Sequence, residues 1–162
     1  MASGAEISCN INICFTSTAL HQATADASFS AYAYEGYQYP SAGEAILFPL
    51  VMTNTGGHYD STASVYRCPV NGTYMFTFSL YSTNLYGLGI TSGVIQIGET
   101  RLSEAYCSNY GNDIIRVQCG NTAVVGCRQG EEVSITAPVS ASHLYGLDKR
   151  STFSGFLISA EA

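Results

Sequence analysis

The chain has 162 residues, 46% of them hydrophobic and only 11% charged, with six Lys plus Arg against twelve Asp plus Glu for a net charge of −6. That length suits one domain with its own core, and the hydrophobic share excludes a disordered chain. Six scattered basic residues supply no phosphate-binding face for nucleic acid and no polybasic patch for anionic lipid, and no apolar run approaches the ~20 residues of a membrane span.

In chain order, residues 1–26 read as a polar, Ala-rich N-terminal extension with room for one helical turn around Thr18 to Ala25, and residues 27–162 as a globular domain. The opening MASGAEISCNINIC has neither the basic stretch nor the apolar run of a secretory leader. That leaves a cytosolic protein or a mature secreted one. Six cysteines with no C-x-x-C pair read poorly as a zinc site and better as disulfides, so the expectation is secretion into an oxidising compartment.

Strand signals follow at Ser28 to Tyr34, Ala45 to Met52 and Ser64 to Cys68. The clearest is Gly72 to Ser82, GTYMFTFSLYS, with Tyr74, Phe76, Phe78 and Leu80 on one face at period two. Further strands are predicted at Gly93 to Gly98, Leu102 to Cys107, Ile114 to Gln118, Thr122 to Cys127, Glu131 to Ala137 and Ser151 to Ser159. Gly-, Asn- and Ser-rich turns separate them, including NTGG at 54–57 and RQGEE at 128–132. About ten short strands and no strong helix predict an all-β sandwich or jelly roll.

In the last strand Phe153 and Leu157 fall on one face and Phe156 and Ile158 on the other, and Val124 and Val125 are both apolar at consecutive positions. A sandwich strand needs one apolar face. The second must be covered by a copy of the chain or by the domain's own loops in a tightly curled barrel. The oligomer is the simpler cover.

Catalytic patterns are absent. His21, His58 and His143 lie in no H-E-x-x-H, and there is no G-x-S-x-G elbow. Cys107 and Cys119 flank a turn-like segment, and a bridge closing that loop of about 13 residues would stabilise the fold by ~3 kcal/mol on the chain-entropy account. Cys9 and Cys14 form a short local loop or bridge to another chain. Six cysteines allow fifteen pairings, and the sequence alone does not select one.

The strongest binding clue is AYAYEGYQY at 31–39, which gathers Tyr34, Tyr37 and Tyr39 around Glu35. Tyrosine offers a flat apolar face and a hydroxyl at low entropic cost, the mixture a sugar ring needs beside a carboxylate. The competing reading is that these rings plug the sandwich or a subunit interface. Asn71-Gly72-Thr73 fits a glycosylation sequon and equally a tight turn.

Residues 48–78, FPLVMTNTGGHYDSTASVYRCPVNGTYMFTF, resemble the signature of the complement C1q globular head, in the C1q and tumour necrosis factor superfamily. Its fixed places hold Phe48, Asn54, Tyr59, Tyr66, Gly72, Tyr74, Phe76 and Phe78. Tyr66 stands where the pattern has Phe, and the Gly usual before it is replaced by Ser64 and Val65. SFSAY at 28–32, NTAVVGCRQGEEVSI at 121–135, and the closing STFSGFLIS with Phe153, Gly155 and Phe156 also resemble family strands. The combination looks most like molluscan members.

The resemblance implies a ten-strand jelly-roll sandwich of two antiparallel sheets, assembled as a homotrimer whose axis faces the sheet carrying the closing strand. It implies a secreted binding protein with no catalytic role, namely a lectin-like pattern-recognition protein taking microbial surface glycans in innate immunity. A receptor-binding ligand of the tumour necrosis factor type, or a matrix component, is the alternative. It places the ends of the strands carrying Cys68 and Cys127 together, as a disulfide or as buried thiols. It also makes calcium a candidate ion in the loop holding Asn109, Asn112 and Asp113, although one Asp is thin for a calcium site and a solvated turn explains the residues. No cofactor is otherwise implied.

Overall fold

A computed structural model gives the architecture. It describes residues 7–10, 13–16, 26–84, 89–109, 115–139 and 144–161. Every regular element among them is a strand. These are β1 (Ile7–Asn10), β2 (Ile13–Thr16), β3 (Ser28–Tyr32), β4 (Gly36–Gln38), β5 (Leu50–Thr55), β6 (Tyr59–Asp60), β7 (Val65–Arg67), β8 (Gly72–Asn84), β9 (Gly89–Ile97), β10 (Thr100–Asn109), β11 (Ile115–Cys127), β12 (Glu132–Thr136), β13 (Leu144–Gly146) and β14 (Thr152–Ala160).

Two five-stranded antiparallel sheets, ordered β11-β8-β14-β3-β5 and β10-β9-β12-β7-β6, form the sandwich. The ten strands of the jelly roll are thus present. A small β13-β4 ribbon lies outside them. So does a β1-β2 hairpin, whose register sets Cys9 opposite Cys14. The helical turn predicted at Thr18 to Ala25 falls outside the described residues.

The period-two reading of β8 holds: Tyr74, Phe76, Phe78 and Leu80 are all buried, while Met75, Thr77 and Ser79 on the other face are part-exposed. Two boundaries differ from expectation. The strands predicted at Ile114 to Gln118 and Thr122 to Cys127 are one continuous β11, paired with β8 from Ile115 opposite Asn84 to Cys127 opposite Gly72. Gly120, which reads as a turn residue, is instead a close-approach position, because a side chain there would meet the Phe78 carbonyl. The apolar run at Ala45 to Met52 is a crossing between sheets. Ile46 N–H donates to the Ile135 carbonyl beside β12 at 2.8 Å, whereas Leu50 already pairs with Tyr32 of β3. Pro49 between them has no N–H for either ladder.

The aromatic positions of the 48–78 segment meet in the core. Phe29 stacks on Tyr59 at 4.6 Å and on Tyr66 at 4.8 Å, and meets Phe153 edge-on at 4.7 Å. Such pairs contribute ~0.5–1.5 kcal/mol each beyond their burial. Asn54 closes the following loop with both ends of its amide: its NH2 donates to the Tyr59 carbonyl at 2.9 Å and its oxygen accepts from Tyr59 N–H at 3.1 Å. Ser64, at the position where glycine is usual, takes the left-handed conformation that glycine would, with φ 56°. The Phe48 N–H donates to its hydroxyl at 2.7 Å, which offsets part of the ~1–2 kcal/mol backbone cost.

Phe156 leaves the core. It is 41% exposed on the outer face of the β11-β8-β14-β3-β5 sheet, although its neighbours Phe153 and Gly155 are buried. Strand alternation forces this: Phe153 and Gly155 take the inner positions, so Phe156 must point out. Val124 and Ile158 are exposed on strands of the same sheet, while Val125 and Leu157 pack against the core.

Candidate functional site

The tyrosine-rich stretch begins on β3 and runs out beyond the sandwich at the end where β8 reaches Asn84. Its backbone is held there by two devices. Ala33 N–H donates to the Ser151 carbonyl at 3.0 Å, and β4 pairs with β13, setting Tyr37 opposite Tyr145 and Gly36 opposite Gly146. Gly146 is required by the close approach, since a Cβ there would collide with the Tyr34 carbonyl.

The four predicted binding residues do not surround one cavity. Tyr34 and Glu35 line an open pocket of about 620 Å³ together with Tyr32, Leu50, Asp148 and Lys149, a volume within the usual range for ligand sites. Tyr37 and Tyr39 belong to a neighbouring cluster, stacked on each other at 6.0 Å, with Tyr37 also 4.6 Å from Tyr145. The Tyr37 hydroxyl lies 3.2 Å from Thr83 Oγ1 on β8, which fixes the ring. Tyr34 and Tyr39 remain 58% and 63% exposed, so part of each side chain is accessible from solvent.

Leu147–Arg150 is the element that the strand pattern does not reveal. Arg150 N–H donates to the Leu147 carbonyl at 2.9 Å, and both central residues have positive φ, Asp148 at 50° and Lys149 at 58°. This is the type I′ pattern, which prefers Asn-Gly. Asp tolerates the conformation, but Lys is held there at a cost of ~1–2 kcal/mol. The turn sets the Lys149 ammonium 5.2 Å from the centre of the Tyr32 ring. Arg150 covers Tyr81 at 4.8 Å and reaches Asp148 at 3.5 Å. Lys149 makes no ion pair among the described residues.

At the far end of the sandwich, Cys68 and Cys127 form a disulfide linking the segment before β8 to the end of β11. A second cavity of about 570 Å³ lies beside it, bordered by His58, Asp60 and the Arg67–Glu132 ion pair. Cys107 and Cys119 correct the expected bridge: both are free thiols. Cys119 Sγ donates to the Thr91 carbonyl at 3.3 Å, with Cys107 close enough to perturb it. Burial first, then the contact with Cys107, pushes the Cys119 thiol up to about 12. That makes it a poor nucleophile at neutral pH. The Asn112 and Asp113 of the calcium expectation, and the side chain of Asn109, fall outside the described residues. Among the described residues no group of three His, Cys, Asp or Glu is placed to hold a metal.

Comparison with known proteins agrees with this architecture. The C1q domain family matches residues 28–158. One of the complement C1q subcomponent subunits of Rattus norvegicus is 32% identical over 120 residues, covering 74% of this chain and 48% of that one. Complement C1q tumor necrosis factor-related protein 2 of Homo sapiens is 30% identical over 126 residues, covering 76% and 42%. The chain therefore spans about half the length of the curated relatives it matches. Among solved structures, the globular domain of zebrafish complement 1qA superposes with a TM-score of 0.64 at 17% identity, over 83% of this chain and 99% of that one. Eiger TNF from S. frugiperda superposes with a TM-score of 0.69 at 12% identity, over 85% and 95%. Among the described residues no helix is long and apolar enough to cross a membrane. With the matched segment spanning both sheets of the sandwich, the chain belongs to the C1q domain family.

Proposed function

We propose that the protein is a secreted homotrimer that binds glycans on microbial surfaces, a lectin-like pattern-recognition role in innate immunity, with residues 1–26 as an extension ahead of the domain. The observation that carries this reading is the exposed tyrosine end: Tyr34 lines a pocket that also offers Glu35, and Tyr39 is exposed in the neighbouring cluster. A sugar stacks its C–H face on such rings and gives its hydroxyls to a carboxylate. Family membership and the likeness of its motifs to molluscan members fit the role. Trimerisation would cover Phe156, Ile158 and Val124 and place three weak sites on one particle, with an avidity gain of ~10²–10⁴ on a dense surface.

A glycan array probed with the intact protein should show binding to microbial glycans. The double variant Tyr34→Ala, Tyr39→Ala should weaken that binding at least about tenfold, as loss of two aromatic anchors implies. A blank array from a folded trimer rejects the reading. The relationship to complement C1q tumor necrosis factor-related protein 2 keeps a receptor-binding ligand as the second reading. It would appear as saturable cell binding that survives enzymatic removal of cell-surface sugars.

A further inference from the structure

The structure points to a preference within the pocket, an inference that rests on the glycan reading: we infer that the Leu147–Arg150 turn makes this a site for acidic sugars, a hexuronate whose carboxylate pairs with Lys149 while its ring lies on Tyr34.

Three observations converge. Lys149 occupies a turn position with φ 58°, where a glycine would sit without strain. Strained non-glycine residues of this kind concentrate at ligand clamps. The strain sets the one charged atom of that side chain over the Tyr32 ring, on the wall of the 620 Å³ pocket, without a carboxylate partner among the described residues. Arg150, the next cation, is already engaged by Asp148 and the Tyr81 ring, so Lys149 is the cation left to meet a ligand. Its position over an aromatic face and beside Tyr34 matches a ring that carries an anionic substituent at its edge, and Glu35 remains to accept from ring hydroxyls. The pocket also lies apart from Phe156 on the same sheet, with the exposed Val51 and Met52 of β5 nearer to it. Tyr32 is four residues along β3 from Ser28, which pairs with Phe156. That is ~13 Å at strand spacing, so covering Phe156, Val124 and Ile158 leaves the pocket at the rim of that contact.

The test titrates the full-length protein by calorimetry with trigalacturonate and with its neutral counterpart, trigalactose, alongside Lys149→Gly and Lys149→Arg. The acidic trisaccharide should bind about tenfold more tightly than the neutral one, the size of one charge-assisted contact, and added salt should narrow the gap. Lys149→Gly should abolish the preference while raising the thermal midpoint, because glycine relieves the turn. Lys149→Arg should keep much of the preference. A purely structural lysine would move stability and leave the preference untouched. Equal affinity for the two sugars, or an unchanged preference in Lys149→Gly, overturns the acidic-sugar inference and leaves glycan binding standing. No binding of either sugar overturns the inference, and a blank array beside it removes the glycan reading as well.

Discussion

Tyr66 fills a fully buried position between the sheets, and its hydroxyl has no hydrogen-bond partner among the described residues. A buried hydroxyl left without a partner costs ~1–3 kcal/mol. Tyr66→Phe should therefore raise stability by about 1 kcal/mol or more in urea titration, with the aromatic stack on Phe29 kept; a loss of stability would show that the hydroxyl is satisfied. The same burial raises the Tyr66 phenol above its ordinary value and pushes Tyr59 up to about 12 from 10.0. Phenols that stay neutral only when folded contribute stability that is intact below pH 10 and is lost as pH climbs through the folded values. Removing the Tyr66 hydroxyl should soften that alkaline loss. The departure at Tyr66 was legible in the sequence, because the spacing marked the position. The fate of its hydroxyl was not, since that depends on which atoms the other sheet supplies. The same holds for Lys149: LDKR reads as a polar turn, but the handedness of its backbone is set by the β13 and β14 strands it joins.

Strand β14 shows how far alternation alone reaches. Period two set Phe153 and Leu157 on one face and Phe156 and Ile158 on the other, and the exposures divide the same way, with Phe156 on the outer face and not in the core. Gly155 is small because Phe76 and Phe29 occupy the space a side chain would need. What alternation could not show was the alignment across strands. Register puts Phe156 opposite Met75, and Met75 opposite Val124, so three apolar side chains from three strands form one row on the outer face. A lysine in that row would be desolvated without a partner by any close subunit contact. Phe156→Lys should convert a trimer to monomers by light scattering at micromolar concentration, with an unchanged far-ultraviolet spectrum. A variant that remains trimeric would move the interface elsewhere. The join of β11 across Gly120 was illegible for a related reason: a glycine that ends a strand and one that lets two strands approach look alike until the partner is known.

At the scale of the molecule the two ends of the sandwich differ. One holds the Cys68–Cys127 bridge, the other the tyrosines and the Leu147–Arg150 turn. The bridge spans 59 residues of sequence, and closing so long a loop stabilises the fold by about 4 kcal/mol on the chain-entropy account. The double variant Cys68→Ser, Cys127→Ser should lose most of that in denaturant titration, whereas alkylating Cys107 in the folded protein should cost far less. Both termini of the sandwich leave from the bridged end: Leu157 N–H donates to the Ala27 carbonyl, Glu161 N–H to that of Asn71, and Ala160 pairs with Gly72. A tether joined to the sandwich at Ala27 or Glu161 therefore works as a pedestal. It lifts the aromatic pole away from its anchor, so particles tethered by either terminus display that pole outward to whatever surface drifts past.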